Sequence, residues 1–208
     1  MRLSDFDYHL PKEFIAQHPV FPHDHSKLMV LDRKEQSISH HSFFELPELL
    51  DPNSVLVFNN SKVIPARLEF KWGQVRRTPD SSGGKAEILL LKPLSSFTWE
   101  CLVRPGEKFV VGAHQFIDSE LSFKVKEVRS GVRVIEFECQ NFKEYLKTHG
   151  HVPTPPYIKE PVRNPDEYQT IYAKPEGSVA APTAGFHFTD RVFEGLKAKG
   201  IQMEFLTL

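Results

Sequence analysis

Residues Gly177–Thr189 read "GSVAAPTAGFHFT", and they are followed by "DRVFEGLKAKG" (190–200) and "IQMEFLTL" (201–208). The middle stretch predicts a helix, because Thr189 is a favourable N-cap residue and Gly200 a favourable terminator. The last stretch is an apolar run that predicts a buried strand. The three stretches together predict a loop, a helix and a strand, which is the repeating unit of an α/β domain.

Two segments upstream also predict strands. The pair "KLMVLDR" (27–33) and "SISHHSF" (37–43) predicts a hairpin whose turn lies near residues 34–36. The apolar run "SVLVF" (54–58) predicts a strand that is covered on both faces.

The composition changes at "RRTPDSSGGK" (76–85), a turn-rich stretch after which strands dominate and helical periodicity is weak. We therefore predict a mixed α/β domain that carries an inserted antiparallel β-barrel domain. The discontinuous α/β domain is assigned to residues 1–68 and 151–208, and the insertion to residues 69–150. Because a parallel strand after a helix needs neighbours on its sheet, we expect the α/β domain to be incomplete at its C-terminus.

Composition and cysteine content bear on the partners and the compartment of the protein. The formal net charge of −1 over 208 residues gives no indication of a nucleic-acid partner. Two separated cysteines fit a reducing compartment, and no stretch approaches the roughly 20 apolar residues of a membrane span. We expect a soluble, cytoplasmic protein with no membrane partner.

The histidine pairs "HDH" (23–25) and "HGH" (149–151) raise the question of a metal site. Neither pair is accompanied by carboxylates or cysteines at the spacing that metal ligands usually have. We expect no metal, and we interpret these histidines as polar loop residues.

The stretch "VFNNSKVIPARL" (57–68) is the first of three candidate binding segments. It places Asn59 and Asn60 at the end of a predicted strand, followed by Lys62 and Arg67. Ligands of open α/β sheets bind outside the carboxyl ends of strands. The alternative is a polar turn that only caps the strand.

Proline and tyrosine alternate in the second candidate segment, "GHVPTPPYI" (150–158) and "YQTIYA" (168–173). Tyr157, Tyr168 and Tyr172 can stack a flat base on a rigid backbone. The alternative is that the three rings are ordinary core residues.

The third candidate segment, "APTAGFHFT" (181–189), is the most informative. Its small residues let the backbone approach a ligand closely. The predicted helix start at Thr189 offers free amide donors and a partial positive charge. His187 can donate a proton, accept one or hydrogen-bond the loop, and the spacing alone does not choose among these roles.

Five blocks of the sequence occur in the same order in one known family. They are "DFDYHLPKEFIAQHPVFPHDHSKLMVLDR" (5–33), "VFNNSKVIPARL" (57–68), "GHVPTPPYI" (150–158), "YQTIYA" (168–173) and "GSVAAPTAGFHFT" (177–189). In these blocks the chain resembles the S-adenosylmethionine:tRNA ribosyltransferase-isomerases of queuosine biosynthesis. The resemblance implies an α/β fold with an inserted β-barrel and no metal.

The resemblance also implies a function. Members of this family transfer the ribosyl part of S-adenosylmethionine to a 7-aminomethyl-7-deazaguanine at the wobble position of tRNA. The ribose is isomerised to give epoxyqueuosine, and adenine and methionine leave. S-adenosylmethionine is thus a substrate, the modified tRNA is the partner, and we expect a monomer. The alternative is a non-catalytic relative that keeps affinity for tRNA or nucleosides.

The resemblance implies roles for residues of the three candidate segments. His187 and Thr189 are implied near the reacting atoms, as catalytic groups. The implied substrate-binding residues are Asn59, Asn60, Arg67, Arg104, Tyr157, Tyr168, Tyr172, Pro182, Thr183, Ala184 and Gly185. Among them the tyrosines are candidates for stacking, while Arg67 and Arg104, together with Lys62, are candidates for phosphate contacts.

The chain departs from the family pattern in three places. Asn60, Ser61 and Lys62 stand where the family more often has Asp-Thr-Arg, and His23 stands where it usually has arginine. Asn60 lacks a carboxylate that can act as a base, and Lys62 lacks the planar fork of arginine. Family members also continue past the last strand with a glycine-rich block, so we expect that this chain is a portion of such a protein.

Overall fold

The computed structural model describes residues 1–73, 83–155, 157–160 and 164–208. The strands are β1 Lys27–Asp32, β2 Ser37–Ser42, β3 Val55–Asn59, β4 Lys62–Val63, β5 Arg67–Lys71, β6 Lys85–Pro93, β7 Thr98–Arg104, β8 His114–Phe116, β9 Ser122–Val128, β10 Arg133–Glu138, β11 Glu176–Ser178 and β12 Gln202–Leu206. The α-helices are α1 Leu46–Leu49, α2 Phe142–His149 and α3 Asp190–Ala198. Of the turn-rich stretch at 76–85, residues 76–82 lie outside the described part.

The chain forms two compact units, which are described separately. The first unit comprises Met1–Asn60, Thr154–Ala173 and Pro182–Leu208. The second unit comprises Ser61–Pro153 and Lys174–Ala181. The domain boundaries at residues 68 and 151 stay a prediction.

The predicted hairpin is present in the first unit. Strands β1 and β2 pair antiparallel from Lys27↔Ser42 to Asp32↔Ser37. The Asp32 carboxylate accepts hydrogen bonds from the backbone N–H groups of Lys34 and Glu35, at 2.8 and 3.0 Å. These two bonds hold the tight turn at the place where the sequence predicts it.

Helix α3 also forms where predicted. Gly200 ends it with a φ of +79°, a left-handed conformation that glycine adopts without steric cost. Val192 and Leu196 are buried against Phe43 and Ile201. Apolar residues spaced in this way place one face of the helix in the core.

Strands β3 and β12 form a two-stranded parallel sheet, with Val55 opposite Gln202 and Asn59 opposite Leu206. The prediction that both strands are buried is wrong. Val55 and Val57 are 51% and 60% exposed, whereas the next residue, Phe58, is buried. A run of apolar residues does not reveal which faces are covered, and in the described residues only the face that carries Leu56 and Phe58 packs against other side chains.

The second unit is built on a six-stranded antiparallel sheet in the order β5-β6-β7-β10-β9-β8. Its inner face buries large apolar residues, and α2 packs Phe142 and Leu146 into the same core. Asn141 caps α2, since its side chain accepts a hydrogen bond from Glu144 N–H at 3.2 Å.

This sheet is a curled half-barrel, and the part of the chain that the structure describes does not close it into the predicted barrel. A barrel closes when its first and last strands pair, but β5 and β8 are both edge strands. In place of a ladder, the Gln115 side chain of β8 accepts one hydrogen bond, at 3.2 Å, from the N–H of Gly73. The mixed α/β class is confirmed, and the closed barrel is not what these strands form.

The described helices are short, and α3 with nine residues is the longest α-helix among them. None of the helices in residues 1–73, 83–155, 157–160 and 164–208 combines the length and the hydropathy needed to cross a bilayer.

Candidate functional site

The loop before α3 forms a tight 3-10 turn over Thr183–His187. The N–H of Gly185 donates to the carbonyl of Pro182 at 2.7 Å and closes the turn. Gly185 is buried, and a Cβ at this position would lie 2.2 Å from the Tyr172 hydroxyl oxygen and 2.7 Å from Cγ2 of Thr170. A side chain does not fit there, so the packing requires glycine at position 185.

His187 ends this turn with its ring half-buried, 5.3 Å from the ring centroid of Phe43. Burial lowers the pKa of the imidazole. A hydrogen bond to the backbone of His23 acts in the opposite direction, and the nearby His23 ring lowers the pKa further. His187 is therefore neutral at pH 7 and has a ring nitrogen available to accept a proton.

His23 reaches the same loop from the other end of the chain. Its Nδ1 donates a hydrogen bond to the carbonyl of Phe186 at 2.9 Å, since a carbonyl can only accept. His187 in turn bonds the His23 backbone. These reciprocal bonds join the 3-10 turn His23–His25 to the loop.

Asp24, the middle residue of that turn, is the most buried charged group of the site. Its side chain is 2% exposed, and its Oδ2 accepts hydrogen bonds from Thr189 Oγ1 at 2.7 Å and from Arg191 Nε at 3.0 Å. Its Oδ1 has no hydrogen-bond partner in the described ranges. We call Asp24, Thr189 and Arg191 the Asp24 clamp.

The pKa of Asp24 lies below its usual value. Burial pushes this pKa up, but the hydrogen bonds from Thr189 and Arg191 and the charges of Arg191 and His25 outweigh burial. The carboxylate is therefore ionised at pH 7 although almost no water reaches it.

Thr189 occupies the N-cap position of α3, as predicted, but its hydroxyl does not cap the helix. That hydroxyl donates a hydrogen bond to Asp24. The first N–H groups of α3 thus keep their capacity to donate, and together they give the helix start a partial positive charge.

Arg191 follows in the first turn of α3. Its guanidinium carbon lies 4.5 Å from the ring centroid of Phe44, and its side chain is 56% exposed. The Nε bond to Asp24 and the aromatic ring fix the guanidinium plane from two sides.

Sequence reasoning missed both Asp24 and Arg191. The motif "HDH" was interpreted above only as a possible metal site, although its central residue is the carboxylate Asp24. No group of three or more His, Cys, Asp or Glu side chains is arranged to hold a metal ion in the ranges that the structure describes. For Arg191 the only local indication was its place in the first turn of a helix.

The other predicted residues of the first unit lie around this site or serve its framework. Thr183 and Ala184 are exposed in the turn, and Pro182 precedes it. Asn60 joins the ends of β3 and β12, because its N–H donates to Leu206 O at 2.9 Å and its side-chain oxygen accepts from Thr207 Oγ1 at 2.8 Å. Asn59 is the last residue of β3.

The three tyrosines differ in environment. Tyr172 lies in an aromatic cluster whose other rings are Phe58, Phe188, Phe193 and Phe205. Tyr168 contacts the ring of Phe186 edge-on at 5.4 Å. Tyr157 is 54% exposed, and it is the tyrosine of the three that offers most of its ring to a ligand. The stacking role stays a prediction for all three.

The predicted cationic residues lie in the second unit. Arg67 Nε is 3.7 Å from Glu87 Oε1, and its backbone bonds His151 in both directions. Arg104 ends β7 opposite Glu87, and Lys62 stands on β4 opposite Glu176. Each of these cations has a carboxylate on the neighbouring strand, and their role as phosphate contacts stays a prediction.

Comparison with known proteins identifies the family. The sequence profile of the queuosine biosynthesis protein family matches residues 3–208. The chain belongs to this family.

Individual relatives of the chain carry a more specific name. It is 48% identical over 203 residues to an S-adenosylmethionine:tRNA ribosyltransferase-isomerase from Thermotoga petrophila, a match that covers 97% of this chain and 58% of that protein. A protein of the same name from Moorella thermoacetica is 47% identical over 212 residues, which covers 100% of this chain and 60% of the relative. The chain thus spans about three fifths of the length of these relatives.

One solved structure also matches. The crystal structure of S-adenosylmethionine tRNA ribosyltransferase from Thermotoga maritima shares 36% sequence identity, covers 98% of this chain and 57% of that chain, and superposes with a TM-score of 0.39.

The packing at Gly185 yields a stability prediction. The change Gly185→Ala forces Tyr172 or Thr170 to move, because the new Cβ overlaps both side chains. We expect a loss of about 1–3 kcal/mol in the free energy of unfolding, measured by urea denaturation. Gly84→Ala is the matched control, since its Cβ meets nothing nearer than Lys108 Nζ at 3.7 Å. Equal stability of the two variants would contradict the packing described here.

The Asp24 clamp yields a pH prediction. Because the folded-state pKa of Asp24 is below its unfolded value, its contribution to stability is complete above the unfolded pKa of about 3.9 and is lost as the pH falls through the folded pKa. We expect Asp24→Asn to lower the Tm modestly at pH 7 and to flatten the decline of the Tm below about pH 4.

Thermal unfolding followed by circular dichroism over this pH range measures the effect. Asp190→Asn removes an exposed carboxylate from the same helix start and serves as the control. An acid decline that is equally steep with and without Asp24 would show that its ionisation is not coupled to folding.

Proposed function

We propose that this chain contributes the site of an S-adenosylmethionine:tRNA ribosyltransferase-isomerase. The reaction transfers the ribosyl moiety of S-adenosylmethionine to 7-aminomethyl-7-deazaguanine at the wobble position of tRNA and isomerises it, giving epoxyqueuosine-tRNA, adenine and methionine. The observation that carries the proposal is the neutral His187, held beside the start of α3 in a loop of small residues. The proposal is supported by the names of the relatives that are 47% and 48% identical.

The chemistry of the substrate suits a neutral histidine. A sulfonium acidifies the hydrogens on the adjacent C5′ carbon, so that a base can remove one of them. His187 is half-buried and its pKa is lowered, which keeps a nitrogen lone pair available at pH 7. In this proposal the proton passes from C5′ to the ring nitrogen that is not bonded to His23.

The departure of adenine completes the role of His187. Adenine leaves with the bonding electron pair and needs a proton or a hydrogen-bond donor. The His187 imidazolium formed in the first step can supply that proton, and the free N–H groups at the start of α3 can supply hydrogen bonds. The same histidine thus acts first as base and then as acid.

The loop places the flat base close to the main chain. Thr183 and Ala184 are exposed and have short side chains, so a planar ring can approach the backbone of this turn. We propose that Asn59, Pro182 and the exposed Tyr157 contact the nucleoside, and that Lys62, Arg67 and Arg104 of the second unit contact tRNA phosphates. Phosphate contacts of this kind make binding dependent on salt concentration.

The alternative is a binding protein without catalysis. The side-chain amide of Asn60, at a position where the family more often has a carboxylate, accepts a hydrogen bond from Thr207 Oγ1. An amide in this position cannot act as a base. In the proposed mechanism the base is therefore His187 and not Asn60.

Adenine release tests the proposal. The protein is incubated with S-adenosylmethionine, with and without tRNA that carries the 7-aminomethyl-7-deazaguanine base, and products are analysed by mass spectrometry. We expect adenine and epoxyqueuosine only when this tRNA is present. Binding of S-adenosylmethionine without any release of adenine would support the non-catalytic alternative, and absence of both would contradict the proposal.

Replacement of His187 tests its role in the same assay. We expect His187→Ala to slow adenine release about 100-fold or more, the usual contribution of a general acid–base residue. His40→Ala is the control, because His40 is an exposed residue of β2. Turnover by His187→Ala at the rate of the control would remove this residue from the mechanism.

The dependence of the rate on pH provides a second readout of His187. Because burial lowers its pKa, the basic form persists below the ordinary histidine pKa of about 6.5. We expect kcat to stay constant from pH 8 to about pH 6.5 and to fall only at lower pH. A fall that begins above pH 7 would contradict a neutral, partly desolvated imidazole.

A further inference from the structure

Asp24 is a buried carboxylate that the proposed mechanism does not use. Its side chain is 2% exposed, and only one of its two oxygens has a partner in the described residues. A buried oxygen without a donor weakens the folded state, so this arrangement is not the one that stability alone favours. Groups held in this way are concentrated at functional sites.

The turn that carries Asp24 is rigid. The N–H of His25 donates to Pro22 O at 3.0 Å, and the N–H and the hydroxyl of Ser26 both donate to His23 O, at 3.2 and 2.7 Å. The N–H of Phe43 then donates to Ser26 O at 2.8 Å. The Asp24 carboxylate therefore projects from a fixed backbone.

The partners of Asp24 stand at the junction of the loop and α3. Thr189 is the residue before the helix and Arg191 lies in its first turn. Asp24 Oδ2 accepts a hydrogen bond from each of them and so links both residues to the His23–His25 turn. His187 is two residues before Thr189, and Phe43 and the His23 backbone hold its ring. A displacement of Thr189 therefore moves the backbone that carries His187.

We propose that Asp24 is a positioning residue of this site: through Thr189 and Arg191 it fixes the 183–191 segment so that His187 and the free N–H groups of α3 face one ligand. The catalytic part of this inference rests on the proposed function, and the positioning of the segment does not. Asp24 itself exchanges no proton with the substrate. Its charge matters because a carboxylate oxygen accepts the Thr189 and Arg191 bonds together, whereas a neutral amide oxygen accepts them more weakly.

Hydrogen–deuterium exchange of the protein tests the positioning directly, without any need for activity. We expect amides in peptides spanning 183–193 to exchange at least tenfold faster in Asp24→Asn than in the parent protein, because the hydrogen bonds that close the turn and begin α3 loosen. Peptides spanning 133–149, in the second unit, are expected to be unchanged.

Asp190→Asn is the matched control, since it removes the same charge one residue after Thr189 from an exposed side chain that lies outside the clamp. Arg191→Gln supplies an independent variant, because it breaks the clamp from its exposed side and leaves Asp24 in place. We expect faster exchange of 183–193 in Asp24→Asn and Arg191→Gln, and unchanged exchange in Asp190→Asn. Unchanged exchange in Arg191→Gln, or equal acceleration in Asp190→Asn, overturns the proposal even when Asp24→Asn does not fold.

Steady-state kinetics distinguish a positioning role from a purely structural one, because loss of positioning lowers kcat more than it changes KM. We expect Asp24→Asn to lower kcat at least tenfold with the KM for S-adenosylmethionine within about threefold, and Thr189→Val to do the same. The double variant is expected to be no slower than the slower single variant, because both changes break one clamp. Losses that multiply in the double variant overturn the proposal. Absence of adenine release by the parent protein contradicts the proposed function, and the exchange experiment still decides the role of Asp24.

Discussion

The carboxylate of Asp24 is almost fully removed from water, and a carboxylate in that position must be matched by donors or lose its charge. In this chain the donors are Thr189 and Arg191 at the start of α3, which lie 165 and 167 residues after Asp24. The constraint determines how the remaining groups are used. The Thr189 hydroxyl donates to Asp24 and makes no capping bond, so the N–H groups of the first helical turn remain available to a ligand.

A second constraint acts from the apolar side. Phe188 directly follows His187, and its ring packs edge-on against Phe43 at 4.9 Å and Phe58 at 5.0 Å. Aromatic pairs in this geometry fix ring positions as well as bury area. The loop that carries His187 is thus held both by hydrogen bonds from His23 and to Asp24 and by the packing of Phe188. The absence of a side chain at the buried Gly185 lets the loop pack closely against Tyr172 and Thr170. In the proposed mechanism, a histidine that is held in this way needs little reorganisation to react.

Much of the local structure follows from the sequence. The β1–β2 hairpin, the bounds of α3 and its Gly200 terminator are determined by residues that are near one another in the chain, and these predictions are confirmed. The predictions that β3 is covered on both faces and that β12 is buried are wrong, because an apolar run does not show what covers it. The open edge of the half-barrel was missed for a related reason: closure depends on whether β5 and β8 pair, which no local pattern encodes.

The site was predictable only in part. The small residues, the helix start and His187 are consecutive in the sequence and could be identified together. The Asp24–Thr189 bond joins positions 165 residues apart, and no spacing rule connects them. His23 shows the same limit, because it donates to the carbonyl of Phe186, which lies 163 residues further along the chain, and helps to hold the loop. Long-range polar contacts of this kind became visible only in the folded chain.

The proposed function requires that the segment around His187 binds S-adenosylmethionine. Histidine-selective NMR tests it most directly, with ring-labelled protein, S-adenosylmethionine added in steps, and a His187→Gln sample to assign the resonance among the ten histidines of the chain. We predict that the His187 signal shifts in a saturable manner, while the signal of the exposed His40 stays in place. Saturable binding that leaves the His187 signal unchanged would contradict the account.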